Sequence, residues 1–382
     1  MNLNYFVKGS CNNFCPPNEI KMRTHEKLLH FYELYPPLSY TRQTKNLPIK
    51  CFARSAAGTE TPRSSDLRTF NSLFGTVEYL LTHILVDDRK PYHFRYDFIF
   101  DRLRSVRQEI VIQNFDEEDT IKLIEPVIMF LSYSRYDLIV NAWSSKTSEE
   151  SLQYLKLCQS PVDTFDPKIC DQHLLECLKK LLGCYDEIEQ QQRRTQPRNR
   201  EFFECLYMVF NLGNVDALNR AVGLSASLNG DLFSLCLYMS LQYFNGYFHN
   251  SIRTVKSLPP ILCAIATLSL QKIRRYRIKN LMNFYKIDNF FREILIRFSS
   301  AYHSKTLTVP SKWLSDLLLY DDMQLLLADC RYYNIEICSN SSFVKFNKFT
   351  FERTKNVIAP RHETFVDMKM LPVRVSDVLL LR

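Results

Sequence analysis

Asp97-Phe98-Ile99-Phe100-Asp101-Arg102-Leu103-Arg104-Ser105-Val106-Arg107-Gln108-Glu109-Ile110-Val111-Ile112-Gln113-Asn114 decides how the rest of the chain is read. Ile99, Leu103, Val106 and Ile110 recur at steps of four, three and four, so one face of a helix is apolar. Asp97, Asp101, Arg104 and Gln108 fall on an adjacent stripe, and acid precedes base along it. That order suits the helix dipole and sets Asp101 to pair with Arg104, a contact worth only about 0.2–0.5 kcal/mol when exposed. The pattern by itself fits a solvated, salt-laced helix. Arg102, Arg104 and Arg107 crowded into six positions suggest instead a packed interface.

The same residues fill a known signature. Asp97, Phe98, Asp101, Arg102, Arg104, Arg107, Glu109 and Gln113 occupy the slots of Asp-Phe-x-x-Asp-Arg-x-Arg-x-x-Arg-x-(Asp or Glu)-x-x-x-Gln. The run thus resembles the suppressor-of-actin / germinal-centre-associated nuclear protein (GANP) family. Two upstream blocks agree in the same order: Cys15-Pro16 with Glu19 and Arg23, then Lys50, Phe52, Arg54 and Gly58, followed by Leu67-Arg68, Thr76 and Tyr79-Leu80. The resemblance is looser downstream and continues to about Asp367. It implies a helical-repeat body ending in a winged helix, the PCI-like module, and gives the signature residues a structural role. Asp101, Arg102, Arg104 and Arg107 are accordingly expected to form pairs that lock the first helices onto that body. The resemblance also implies pairing with a second PCI protein and a small acidic subunit, the two winged helices presenting a joint nucleic-acid surface. Larger members carry nuclear-pore repeats and a long centrin-binding helix; neither is expected in this chain, whose outline resembles the small single-domain, centrosomal-type member. Gly246-Tyr247-Phe248-His249-Asn250-Ser251-Ile252 departs from the family's Phe-Phe pair, so that local contact is not carried over.

Composition sets the bounds. With 382 residues, 46% of them hydrophobic, the chain can bury a large core and holds two or three structural units. Only eight glycines stand beside many Leu, Phe and Tyr residues, which points to helices rather than tight-turned sheets or phosphate-cradling loops. The net charge of +8 is compatible with an acidic or nucleic-acid partner without identifying one. The first fifteen residues lack a signal-peptide pattern, and the apolar runs 232–248 and 261–270 are interrupted or too short to span a bilayer. A soluble intracellular protein with no membrane partner is therefore expected, with its twelve cysteines as reduced thiols. Cys170, Cys177 and Cys184, seven apart, should share a helix face in the core.

Along the chain, residues 1–63 read as an extended, proline-broken lead with one short helix around Glu19 to Glu33. Residues 64–305 read as the helical-repeat body: Leu67 to Val86, Phe94 to Asn114, Ile121 to Tyr136, Glu201 to Leu212, Asp216 to Ser225, Leu232 to Phe244 and Pro260 to Lys286. The polar stretches 141–168 and 187–200 look like exposed connections. Residues 306–353 read as a winged helix, with helices Ser311 to Tyr320 and Asp322 to Tyr333 and a hairpin pairing Ile335-Glu336-Ile337 with Phe343 to Phe346. Residues 354–382 form a C-terminal tail. The fold class is mainly α, a PCI/TPR-like superhelix ending in a winged helix with a small β-hairpin.

Catalytic and metal patterns are near misses. Cys11, Cys15, His25 and His30 are spaced C-x3-C-x9-H-x4-H, shorter in the middle than a zinc finger. A helix would hold the two histidines about 140° apart, which also spoils His25 to His30 as a metalloprotease motif. Gly223-Leu224-Ser225-Ala226-Ser227 lacks the last glycine of a nucleophile elbow. No enzyme activity, cofactor or metal is expected. Lys272, Arg274, Arg275, Arg277 and Lys279 form the densest basic run; it suits either a solvated helix flank or phosphate contact, to which Lys345 and Lys348 on the wing would add. The leading expectation is a non-catalytic scaffold resembling nuclear mRNA export factors, in nucleus and cytoplasm, binding partner proteins and RNA or DNA weakly and non-specifically. The alternatives are a centrosome or spindle factor of the same family and a proteasome-lid-like or translation-initiation-like PCI subunit.

Overall fold

The structure is a computed structural model and describes residues 6–37, 39–40, 46–54, 62–144, 165–191, 197–271, 290–318, 320, 322–338, 341–352, 364–370, 377 and 379–381. Gly58 and the basic run Lys272, Arg274, Arg275, Arg277 and Lys279 lie outside these residues. Contacts divide the chain into two units, one of residues 1–138, 161–197 and 373–382, the other of residues 139–160 and 198–372.

In the first unit the lead holds α1 (Pro17–His25) and α2 (Phe31–Leu34) rather than one helix from Glu19 to Glu33. The break has a local cause: Lys27 takes a left-handed φ of 57°, and His30 caps a new helix with Glu33 Oε2 accepting from His30 N at 2.8 Å. Next comes α3 (Phe70–Tyr79), which opens into a π-helical turn at Leu80–Ile84. α4 (Tyr92–Gln113) follows, and its stripe Ile99, Leu103, Val106 and Ile110 is at most 3% exposed. Asn114 ends it in the left-handed region at φ 46°, which asparagine tolerates.

α5 (Glu117–Ser144) begins on the acidic turn Glu117-Glu118-Asp119 and runs eight residues beyond the expected Tyr136. α6 (Pro167–Gln190) likewise takes up the first residues of the stretch expected as an exposed connection from 187, with Asp166 as its N-cap. Cys170, Cys177 and Cys184 are all buried on one face of α6, and Tyr185 Oη donates to Glu125 Oε1 on α5 at 2.6 Å.

The second unit stacks α7 (Arg200–Phe210), α8 (Val215–Leu224), α9 (Asp231–Phe244), α10 (Phe248–Val255) and α11 (Pro260–Gln271), each packed on its neighbours in the manner of a helical repeat; α12 (Phe290–Ala301) packs on α11. Arg200, expected in an exposed connection, is 3% exposed and opens α7. α10 was not legible in the sequence, because eight residues mixing His, Asn, Ser, Arg and Thr show few inward positions. Those positions are Ser251, whose Oγ donates to Met239 O at 2.9 Å, with Ile252 and Val255, each 1% exposed.

The unit closes with β1 (Val309–Pro310), α13 (Ser311–Leu318), α14 (Met323–Tyr332), β2 (Glu336–Cys338) and β3 (Phe343–Lys345). The sheet is antiparallel in the order β1-β3-β2, with Val344 of β3 opposite both Val309 and Ile337. Val344 is 0% exposed and faces the leucines of α13 and α14. The Asp322 side chain caps α14 by accepting from Gln324 N at 2.9 Å, and Asn334 stops it at φ 57°. β1 escapes sequence reading because a two-residue edge strand has no period. A further helix, α15 (Thr364–Met370), lies on α11, and Lys369 Nζ donates to Leu258 O at 2.9 Å.

The lead is seated closely. Cys11 N donates to Leu67 O at 3.0 Å and Thr69 N donates to Cys11 O at 2.9 Å, a parallel bridge that brings Gly9 against the same strand of backbone. A Cβ at Gly9 would lie 2.4 Å from Arg68 O, whereas one at Gly183, inside α6, would meet nothing within 4 Å. Gly9→Ala should therefore destabilise by about 1–3 kcal/mol through overpacking, and Gly183→Ala should stabilise by about 0.5–1 kcal/mol through helix propensity. Urea midpoints of the two variants should move in opposite directions; a shared direction would contradict the close approach.

Candidate functional site

Two carboxylates buried in the first unit organise the signature. Glu109, 1% exposed on α4, has Oε1 2.9 Å from Arg68 Nε and 3.0 Å from Lys50 Nζ, and its Oε2 accepts from Arg68 N at 2.6 Å. Arg68, 0% exposed, also donates from Nη2 to Ser105 Oγ at 2.9 Å. One turn on, Gln113 Nε2 donates to Arg68 O at 2.9 Å and Gln113 Oε1 accepts from Gly9 N at 2.8 Å. The helical spacing Ser105, Glu109, Gln113 places all three on one face, opposite the chain that bears Arg68.

Glu33 on α2 is the second centre, 0% exposed. Its Oε1 accepts from Ile49 N at 2.9 Å and lies 3.2 Å from Arg102 Nη2, and its Oε2 pairs with Arg23 Nη2. Arg23 Nη1 donates onward to Ile49 O at 3.0 Å, and Cys51 N donates to Glu19 Oε1 at 2.9 Å. Asp101 accepts from Phe52 N at 3.3 Å and pairs with Arg102 Nη1 at 2.5 Å. Four acids, Glu19, Glu33, Asp101 and Glu109, thus meet four bases, Arg23, Lys50, Arg68 and Arg102. The charges balance, which is what lets Arg23, Glu33, Arg68, Arg102 and Glu109 stay buried.

One expectation needs correction. Asp101 does not pair with Arg104; its partners are Arg102 and the Phe52 backbone. The half-buried Arg104 guanidinium instead lies over the Phe52 ring, 3.8 Å from its centroid, and 5.8 Å from that of Phe100. The other signature residues are placed as follows. Arg107 bridges α4 to α6 through Glu176 at 3.1 Å and His173 Nδ1 at 2.8 Å. Phe98 is buried beneath Arg102, Cys15 and Pro16 are buried, and Asp97 and Arg54 are exposed. Glu33 is the member that sequence reasoning missed. Its one signal, an acid three residues after His30 at a helix start, fits a capping box as well.

The electrostatics fit a structural role. Burial pushes the Cys15 thiol well above its ordinary range and the Cys51 thiol up to about 11, so neither is a ready thiolate. Burial and then Arg102 lower His30 to about 4, leaving its imidazole neutral between the rings of Phe94 and Phe98, 4.8 and 4.5 Å away. Burial works to raise the Glu33 carboxyl, but Arg102, the Arg23 hydrogen bond and the backbone donors of Ile49 and His30 outweigh it and hold it below the usual range. A groove of about 680 Å³ beside α3 is lined by Phe14, Tyr40, Glu78, Tyr79 and His83 among others, with no lysine or arginine among its described lining residues.

On the second unit the β2–β3 hairpin and the turn after it carry exposed side chains. Lys345 on β3 lies 3.7 Å from Glu336 on β2, and Lys348 reaches over the ring of Phe349 at 4.9 Å.

Comparison with known proteins places these observations. The SAC3/GANP family pattern matches residues 14–156 and 152–339. Protein xmas of Drosophila melanogaster is 26% identical over 187 residues, 48% of this chain and 8% of that protein. SAC3 family protein 1 of Schizosaccharomyces pombe is 33% identical over 124 residues, 32% of this chain and 12% of that protein. SAC3 family protein B of Arabidopsis thaliana is 28% identical over 136 residues, 35% of this chain and 8% of that protein. The chain therefore spans only a small part of the relatives it matches.

Removing Glu109 strands two buried bases, so Glu109→Gln should cost about 3–5 kcal/mol. Arg104→Ala, which removes a half-buried ring contact, should cost about 1 kcal/mol. Equal losses in chemical denaturation would refute the division between them. A pH series provides a separate check. His30 has a folded value of about 4 against 6.5 unfolded, so the unfolded chain binds the extra proton between them. Its share of stability is complete above pH 6.5 and drains away as pH falls towards 4, with Glu33 adding a further loss below 4.5. Charged His30 would face Arg102 and Arg23 as well as Glu33 and Asp101. His30→Asn should flatten the upper part of that acid limb and leave the lower part in place.

Proposed function

Because the chain belongs to the SAC3/GANP family, whose members act in mRNA export, we propose that it is a non-catalytic PCI-like scaffold of the nuclear mRNA export type. The observation that carries this reading is the signature's geometry. Its charged residues hold the lead onto α4, with no nucleophile and base brought together among the described residues of that network and with burial raising the Cys15 and Cys51 thiols beside it. A site built for chemistry would show the reverse, titratable groups drawn towards neutral pH and open to a cleft.

The strand, helix, helix and hairpin order of β1 to β3, with sheet order β1-β3-β2, supports a winged helix at the end of the repeat body. On this reading the module pairs with a second PCI protein and a small acidic subunit, and nucleic acid meets the wing through Lys345 and Lys348. Quantitative mass spectrometry of tagged protein purified from nuclear and cytoplasmic extract tests the assignment. A PCI protein and a small acidic subunit should co-purify in fixed ratio with export factors. Fixed-ratio recovery of proteasome-lid or initiation-factor subunits, or of centrosomal proteins alone, would replace it.

A further inference from the structure

The outward face of the small sheet carries an exposed ring, Phe343, beside the Lys345–Glu336 pair. Val344 of β3 points into the core, so its neighbours Phe343 and Lys345 point to solvent, and Phe343 is 43% exposed. Opposite Phe343 stand Pro310 of β1 and Cys338 of β2. Just beyond β3, Phe349 is 78% exposed with Lys348 Nζ 4.9 Å from its ring centroid. The His303 ring stands nearly perpendicular to that of Phe349, their centroids 5.2 Å apart. Such exposure leaves two large apolar surfaces in water, each beside a lysine.

α14, by contrast, is poorly equipped to read a duplex. Its solvent face consists of Gln324, Leu325, Ala328, Arg331 and Tyr332, with a single cation. A helix docking in a major groove needs several donors for base edges and phosphates. Bases in a duplex also hide their faces in the stack, whereas a single strand can lay them on a ring.

From the exposure of Phe343 and Phe349 on one short stretch that also carries Lys345 and Lys348 we propose that the wing binds single-stranded nucleic acid by base stacking, in preference to duplex. The inference rests on the nucleic-acid reading above and adds what that reading leaves open, the form of the strand and the residues that select it. The lysines neutralise phosphates and the rings hold bases with little sequence preference.

The test uses the full chain with a fluorescent single-stranded oligonucleotide and its duplex, titrated at two salt concentrations. Wild type should prefer the single strand. Phe343→Ala with Phe349→Ala should weaken single-strand binding at least about tenfold and leave duplex binding and the salt slope unchanged. Lys345→Ala with Lys348→Ala should weaken both and make the slope shallower by about two. Phe349→Trp should retain binding, with indole fluorescence quenched as the strand is added. Both aromatic positions are exposed, so thermal melting should not move in the ring variant. A ring variant that binds single strands like wild type, or a wild type that prefers duplex, overturns the stacking proposal alone. Binding of neither form by wild type overturns the nucleic-acid reading itself.

Discussion

A carboxylate with no water around it must be given its counter-charge by the fold, and Glu109 imposes that condition on everything near it. Arg68 and Lys50 have to reach it, which requires the chain on either side of them to run across α4. Gln113, one turn later, then fixes the strand bearing Gly9. Glu33 repeats the device with Arg23 and Arg102. Segments without long helices of their own are thereby held by charge-assisted bonds whose removal one at a time leaves an unpaired ion. Within the signature, Arg102 and Glu109 are residues whose replacement strands a buried partner.

The sequence carried the helices well and the contacts between them poorly. The steps of four, three and four in α4 are a property of one segment, so they can be read from it. That Glu33 meets Arg102 is a property of two segments brought together, and a short helix of four residues gives no periodic sign of it. Arg104 shows the same limit from the other side. The rule for neighbours on a helix pairs it with Asp101, yet a ring from residue 52 lies closer and takes the guanidinium. α10 was too short and polar and β1 too short to stand out, and the break at Lys27 depends on a backbone angle that lysine does not advertise.

Aromatic rings serve differently around the Glu33 network and along β3. In the first, Phe94, Phe98 and Tyr32 surround His30 and shut water away from the Glu33 network. In the second, Phe346 fills the core against Phe298, while Phe343 and Phe349 on the same stretch are left outside. Alternation along β3 explains the first of these, since a strand sends successive side chains to opposite faces. It does not explain Phe349, which lies past the strand and owes its exposure to the turn that begins at Asn347.

The bond from Gly9 N to Gln113 Oε1 spans 104 residues of sequence. On a ribosome adding roughly 5–20 residues per second, Gly9 is made about 5–20 seconds before the side chain that receives it. α4 must also clear the exit tunnel before Arg68 finds Glu109. During that interval the lead carries unpaired arginines and exposed aromatic residues, a state suited to capture by a chaperone. The charges around Glu109 therefore stay unneutralised until the first 113 of the 382 residues have been made.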